Sequence, residues 1–511
     1  MTQKSSQQHF NTDDLSANLK QKSIRSGMIT FASQPLKLVL GIGSTAVLAR
    51  LLTPGDFGLL AMATPVFLLV DSLSSFGLET AVVQKDFLDQ QQASAVFWRS
   101  LKINTLLIGI TVLFAPLVAM FYHDARLTGI VLGLAVGAFS VCLAFQHNSL
   151  LKRQMRFGTL TIIELVALLL STIAAIAAAL VGWGYWALVL QLSVMQVTQS
   201  IAQWWICDWR PSKYIKDDNS NTELDSMLSY GKHLTGFRFL TRIGMHLDRV
   251  LIGYVSNANA LGLYYIAYKW AYFPFEQVYF PMFDVAVSSL SRVQHDPDLY
   301  RSYSRHGLMP IFAFCLPALA YCFVEARNVI LLLVGEQWLE AVPLFKLLAI
   351  SVYVVSMYRV TKWLYVSAGQ TQRQFRWALI HTPVMIVAVV IGAKWGAYGV
   401  AMGYMIGTCL LTYPAVNYCL KFSPLGWSDF MGAIWRPFVA SIIAAACLYF
   451  SRGLITSDRL FLEFLGRSIT YGLIYIAFWL LLPGGWRSTL EIVKGIKNIK
   501  GIKGGVVKPP N

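Results

Sequence analysis

Charge is the first thing this 511-residue chain is short of. Asp, Glu, Lys and Arg make up 13% of it, where a soluble domain carries about 25%. The hydrophobic share is 56% and the mean hydropathy is +0.54, which excludes a water-soluble globule. Acidic residues are the scarcest, 26 against 42 Lys and Arg, for a net charge of +16. The seven cysteines are scattered without a CxxC, and most fall inside apolar runs. There they read as small packing residues rather than disulfide partners or metal ligands. No GxxxxGK[ST], HExxH or GxSxG occurs, so the usual signposts of nucleotide, metalloprotease and serine-hydrolase chemistry are missing. The first stretch of about 24 residues is polar, with no apolar core ahead of a cleavage site. No removable signal peptide is expected.

Apolar runs of about 20 residues recur along nearly the whole length, each able to cross about 30 Å of hydrocarbon. The expected fold class is therefore all-α, a polytopic membrane protein of about fourteen spans. Their centres fall near residues 38, 70, 108, 138, 170, 195, 240, 275, 313, 355, 384, 408, 440 and 473. Ile330–Phe345 reads instead as a short amphipathic element entering the tenth span, because Glu336 and Glu340 do not belong in lipid. A charge of +16 raises nucleic acid as a partner, but its placement argues against that. When loops alternate between two sides, one side holds roughly 23 Lys and Arg and the other about five. The basic side includes the N-tail, LKRQMRF at 151–157, WRPSKYIK at 209–216 and the C-tail. Both termini are thus expected in the cytoplasm. The lysine-rich VKGIKNIKGIKGG near the C-terminus reads as a tail resting on anionic headgroups.

The longest internal polar break, Cys207–Ser226, follows six spans and reads as a linker between lobes. The expected organisation is an N-tail over 1–25, an N-lobe over 26–206, a linker over 207–226 and a C-lobe over 227–420. Two further spans over 421–483 and a basic tail over 484–511 complete it. Sliding the chain by 204 residues aligns Gly27 with Gly231, Gly58 with Gly262, Ala63 with Ala267, Phe76 with Phe280 and Val83 with Val287. These identities hardly exceed chance, but the ungapped match of span, turn and span supports two pseudo-symmetric six-helix lobes. WGYWALVL from Trp183 and WGAYGVAM from Trp395 also occupy equivalent places.

The stretch VLARLLTPGDFGLLAMATPVFLLVDSLSSFGLETAVVQKD, Val47–Asp86, resembles the first hairpin of bacterial polysaccharide flippases. The branch is that of Wzx-like transporters and colanic-acid exporters within the MOP superfamily. GLYYIAYKWAYFPFEQVYFPMFDVAVSSLSRVQHD from Gly262, LLLVGEQWLEAVPLFKLLAI from Leu331 and the paired WG turns fit the same family. The likeness covers most of Ile24–Leu420 and fades over the last two spans and both tails. It implies two six-helix bundles facing each other across a central cavity, in the bacterial inner membrane. It also implies transport, by alternating access, of undecaprenyl-diphosphate-linked oligosaccharide for exopolysaccharide, O-antigen or capsule, without a cofactor. The implied partners are that lipid-linked substrate, the bilayer, and a polysaccharide polymerase with its export machinery.

Within the expected seventh span, FRFLTRIGMHLDRVLIGY carries Arg238, Arg242 and Arg249 within roughly 40° of one helix face. At mid-span each arginine costs about 2.5–3.5 kcal/mol, so the stripe is expected to line a wet cavity, where guanidinium forks match a diphosphate. The plainer reading pairs Arg249 with Asp248 and lets Arg238 snorkel. Lys269, Glu276 and Asp284 share a face of the eighth span within about 80°, flanked by Tyr272 and Phe273; the plainer reading is a polar seam that neutralises nearby arginines. Asp71 and Glu79 in the second span, Lys37 in the first, and Arg359 with Lys362 in the tenth complete the candidate set. The cations are assigned to the substrate path and the acids, Asp248 included, to charge balance or coupling. Glu164 is a weak ligand candidate, Arg50, Lys85, Arg99 and Lys102 sit near span ends, and His381 beside Pro383 reads as a kink residue. No catalytic or metal site is expected.

Three alternatives stand beside the flippase. A MATE-like cation-coupled exporter of small amphipathic compounds is disfavoured by the many cavity cations. A membrane polymerase or ligase is disfavoured by short outer loops, and a scaffold leaves the intramembrane charges unexplained. Reporter fusions at Ser220 and Lys508 should both read cytoplasmic; a periplasmic signal at either overturns the topology.

Overall fold

The computed structural model describes residues 13–74, 88–212, 246–451, 453, 459–486 and 488–489. Arg238, Arg242, Glu79 and Lys85 lie outside them. The fold is all-α: among the described residues 87% are helical and none lies in a strand. The helices are α1 Asp13–Leu51, α2 Pro54–Ser74, α3 Gln90–Tyr122, α4 Arg126–Arg153, α5 Phe157–Leu180 and α6 Trp186–Ile206. After a helical stretch over 246–255 come α7 Ala258–Arg292, α8 Pro297–Val324, α9 Ala326–Leu333 and a 3-10 turn, Glu336–Trp338. The rest are α10 Ala341–Arg359, α11 Thr361–Ser367, α12 Thr371–Ala393, α13 Gly396–Leu420, α14 Trp427–Phe450 and α15 Leu460–Leu481. Every expected span centre except residue 240, which is not described, falls inside one of these helices. By length and composition, nine spans among the described residues are long and apolar enough to cross a membrane, one of them running through α10 and α11. The protein is a multi-pass membrane protein. The segment Ile330–Phe345 enters the tenth span as expected, through the end of α9, a left-handed turn at Gly335 (φ 101°) and the 3-10 turn.

Two helices start on side-chain caps that the sequence supplies. Asp89 and Gln92 form a reciprocal capping box at α3, with Gln92 N–H donating to Asp89 Oδ1 at 2.6 Å. Asp296 accepts from Asp298 N–H and Leu299 N–H ahead of Pro297. Both satisfy amides that the helix itself leaves bare. The two WG turns place glycines in the left-handed region, Gly184 at φ 54° and Gly396 at φ 65°, where a side chain is strained.

Two compact units divide after Gly262. In the first, α5 packs on α6 and α1, and α4 on α6 and α3. Gly129, Gly133 and Gly137 bring α4 onto α6: a Cβ at Gly133 would lie 2.7 Å from Val189 Cγ1. Residues 207–212 are packed here too, with Cys207 and Trp209 buried against Phe97, Leu150 and Leu151. The start of α7 belongs to this unit because it is seated on the start of α2. A Cβ at Gly58 would stand 1.6 Å from Ala258 O, and one at Gly262 1.8 Å from Pro54 O. In the second unit α12 packs on α13, α8 on α14, and α10 on α13. A small-residue seam closes the α12–α13 pair, where a Cβ at Gly399 would lie 2.1 Å from Gly392 O. Such seams let helix backbones approach where lipid offers no hydrophobic drive.

The reciprocal seat predicts that Gly58→Ala and Gly262→Ala each destabilise by about 1–3 kcal/mol, the usual cost of overpacking. Gly41→Ala and Gly43→Ala, where a Cβ meets nothing within 4 Å, should show no loss. Thermal unfolding of the purified protein in detergent compares the four.

Candidate functional site

In the second unit the tenth span breaks at Val360, between α10 and α11. The local sequence YRVTKW has neither proline nor glycine, so the break has a side-chain cause. Thr361 Oγ1 donates to Tyr358 O at 2.7 Å, Tyr279 Oη donates to Arg359 O at 3.1 Å, and Cys419 Sγ contacts Thr361 O at 3.8 Å. Carbonyls released by the break thus find donors from α7 and α13, as backbone at membrane depth requires.

The break puts Arg359 against an aromatic wall. Along α7, Tyr264, Tyr268, Tyr272, Phe275, Tyr279 and Phe283 follow spacings of four, four, three, four and four, a stripe about 100° wide. Tyr268 stacks on Tyr272 with centroids 4.3 Å apart, and Phe275 on Tyr279 at 4.9 Å. The Arg359 guanidinium lies 5.3 Å over the Tyr272 ring, whose hydroxyl meets Tyr404 Oη at 2.7 Å. Lys362 Nζ lies 5.5 Å over Phe283. Among the described residues, no carboxylate comes within ion-pair distance of Arg359.

Arg467 shows what a settled arginine in the same unit looks like. Its Nη1 reaches Glu325 Oε2 at 3.2 Å and its Nη2 reaches Glu463 Oε1 at 2.6 Å. Asn328 also donates to Glu325 at 2.7 Å. Here the positive charge is answered by the protein. At Arg359 only ring faces and hydroxyls are offered, which hold a cation weakly, about 0.5–2 kcal/mol, and leave it able to bind an incoming anion.

The other candidates are distributed as follows. Lys37 pairs with Glu164 in the first unit; the residue read as a weak ligand is thus the counter-ion of one read as a substrate cation. Asp248 is buried and accepts from Arg249 N–H at 2.8 Å, while Arg249 is partly buried. Asp71 falls within α2. On α7, Lys269 and Asp284 are exposed and Glu276 is partly buried, in a strip running beside the aromatic stripe. Lys362 is exposed and Arg359 partly buried. The structure therefore brings Arg359 and Lys362 to the α7 wall that carries Tyr272, and Lys37 to Glu164. His381 stacks on Tyr358 at 5.2 Å. Sequence reasoning missed Tyr268, Tyr279, Phe283 and Tyr404. The first three repeat at helical spacing and were legible. Tyr404 is 132 residues from its partner and carries no local signal.

Residues 47–343 match the family described as polysaccharide biosynthesis protein. The chain belongs to this family. It is 21% identical over 449 residues to the lipopolysaccharide biosynthesis protein WzxC of Escherichia coli (strain K12), covering 87% of this chain and 90% of that one. It is 24% identical over 413 residues to the succinoglycan biosynthesis transport protein ExoT of Rhizobium meliloti (strain 1021), covering 79% and 81%. Its fold matches the lipid II flippase MurJ in an inward closed conformation, with a TM-score of 0.70 at 16% identity over 90% of this chain and 98% of that one. It also matches an inward-facing multidrug resistance MATE transporter of the MOP superfamily, at 0.56 and 13% over 82% and 98%. The resemblance read from Val47–Asp86 is borne out.

The contrast between the two arginines predicts different costs on neutralisation. Arg467→Gln strands two carboxylates in a buried site and should cost about 3–5 kcal/mol. Arg359→Gln strands none and should cost about 1 kcal/mol, the lost ring contact. Thermal unfolding in detergent checks it; equal losses would make Arg359 a structural residue.

Proposed function

We propose that the protein is a flippase, carrying undecaprenyl-diphosphate-linked oligosaccharide repeat units across the bacterial inner membrane by alternating access. The observation that carries this reading is Arg359, a cation at a helix break ringed by tyrosines and without a carboxylate partner among the described residues. A guanidinium forks onto phosphate oxygens, and the aromatic faces of α7 suit sugar rings. Family membership supports the polysaccharide class, and the similar proteins ExoT and MurJ are a succinoglycan biosynthesis transport protein and a lipid II flippase.

In this reading the work is non-covalent, and the chain is no enzyme. The diphosphate meets Arg359 and Lys362 of the second unit, with Lys269 on α7; Arg238, Arg242 and Arg249 are proposed substrate-path cations of the first unit. Glu276 and Asp284 rebalance the cations once the substrate leaves, because unpaired charges in a low-dielectric site are unfavourable. Lys37 joins the path when the anion competes with Glu164 for it. Asp71, Glu79 and Asp248 remain charge-balancing acids. Both termini face the cytoplasm, and a polymerase and export machinery take over on the opposite side of the membrane. The MATE-like alternative shares the fold, yet a cationic compound gains nothing from Arg359.

Deletion should abolish surface polysaccharide while lipid-linked repeat units accumulate on the cytoplasmic leaflet. Complementation by Arg359→Ala should fall about tenfold or more, since a hydrogen bond to a charged group is worth about 1.5–3 kcal/mol. Arg359→Lys should retain part of the activity, and Arg242→Ala and Arg242→Lys should behave the same way, with membrane levels checked by blotting. Normal arrival of repeat units at the outer leaflet with failed polymerisation would instead favour an enzyme. Full export by the alanine variants would remove these arginines from the path.

A further inference from the structure

A second feature, in the first unit, is independent of the transport reading. Between α4 and α6 lies a groove of about 530 Å³. Leu143, Val197, Ile201, Trp204 and Trp205 form its apolar walls. Its floor is Ser140 and Ser200, whose hydroxyls are spent on Gly137 O at 2.7 Å and Gln196 O at 2.9 Å. Trp204 is fixed by its Nε1–H donating to Leu143 O at 3.0 Å. Trp205 is 81% exposed and Ile201 55% exposed. The groove therefore opens sideways, along α4, which is long and apolar enough to cross a membrane.

Arg210 stands at the end of this groove. Its Nη1 donates to Cys207 O at 2.9 Å and Trp209 O at 2.8 Å, and its guanidinium lies 5.3 Å over Trp204. The segment carrying it is bolted to α3. Trp209 Nε1 donates to Gln90 Oε1 at 2.7 Å, Gln90 Nε2 to Arg210 O at 2.8 Å, and Trp98 Nε1 to Ser212 O at 2.9 Å. Nε and Nη2 of Arg210 have no partner among the described residues, and no carboxylate there pairs with it. A cation is thus held in a fixed position at the mouth of an apolar slot.

We propose that this groove holds one acyl chain of an anionic membrane phospholipid, with the lipid phosphate on Arg210. The chemistry of the two ends selects the occupant, an apolar stem in the slot and an anion at its mouth. The run from Val197 to Trp205 spans only about 12 Å at 1.5 Å per residue, which suits the upper part of an acyl chain. Sideways opening suits a lipid that enters from the bilayer. The positive end of the slot supplies the charge complementarity that anionic headgroups seek.

The test uses the full-length protein purified in detergent, with native mass spectrometry counting bound phosphatidylglycerol and phosphatidylcholine. Arg210→Ala should weaken phosphatidylglycerol binding about fivefold, the equivalent of one headgroup charge, and weaken phosphatidylcholine binding less, because its choline offsets the same phosphate. Val197→Trp, which fills the slot, should weaken both, and it carries the test if Arg210→Ala does not fold. Unchanged phosphatidylglycerol binding in the folded variants overturns the proposal. So does displacement of phosphatidylglycerol by inorganic phosphate, which marks a free-anion site, or by equimolar undecaprenyl phosphate, which marks a polyprenyl site.

Discussion

A backbone amide in hydrocarbon has no water to bond, and most of this structure follows from that constraint. It makes the chain helical and puts side-chain caps at the starts of α3 and α8. It also governs the places where a helix stops early. At Val360 the ladder is interrupted, and Tyr279, Thr361 and Cys419 supply the contacts that the backbone loses. Prolines inside helices, such as Pro274 and Pro281 in α7, remove further donors under the same rule. At this break the irregular backbone sits where neighbouring helices can supply hydrogen bonds, and Tyr279, which does so from α7, also belongs to the wall facing Arg359.

Charge inside such a chain is sorted by whether the protein answers it. Arg467 has Glu325 and Glu463, Lys37 has Glu164, and Arg305 has Asp429. These pairs hold helices together: Arg467 ties α15 to the start of α9, and Lys37 ties α1 to α5. Arg359 and Arg210 are of the other kind. Each lies over an aromatic ring and each lacks a carboxylate among the described residues. Aromatic support keeps such a cation ordered without neutralising it, so its full charge stays available to something arriving from outside.

Much of the architecture was legible because apolar runs of span length leave few alternatives. Glu336 and Glu340 announced the interrupted entry to the tenth span, and the paired WG turns announced two matching helix starts. The tenth-span break was not legible. YRVTKW contains no helix breaker, and its cause lies in Tyr279 and Cys419, some 80 residues before and 60 after. Single residues in the site divide in the same way. Arg359 stood out as a charge in an apolar run, whereas Tyr404 looks like any interfacial aromatic until Tyr272 is placed beside it. Glu164 was recognised as unusual, but its role needed Lys37, 127 residues earlier.

The helix starts at α2 and α7 show two kinds of constraint at one offset. At an offset of 204, Thr53 accepts from Asp56 N–H at 3.3 Å and Asn257 accepts from Ala260 N–H at 2.9 Å. Hydroxyl and amide oxygens serve that purpose equally, so two residue types make one hydrogen bond. Gly58 and Gly262 occupy the same offset, and there the requirement is for empty space, which no other residue meets. A position bound by volume admits one residue, and a position bound by an acceptor atom admits several. The likeness of the two helix starts is thus carried by where the amides point and by the two places where nothing is allowed to grow.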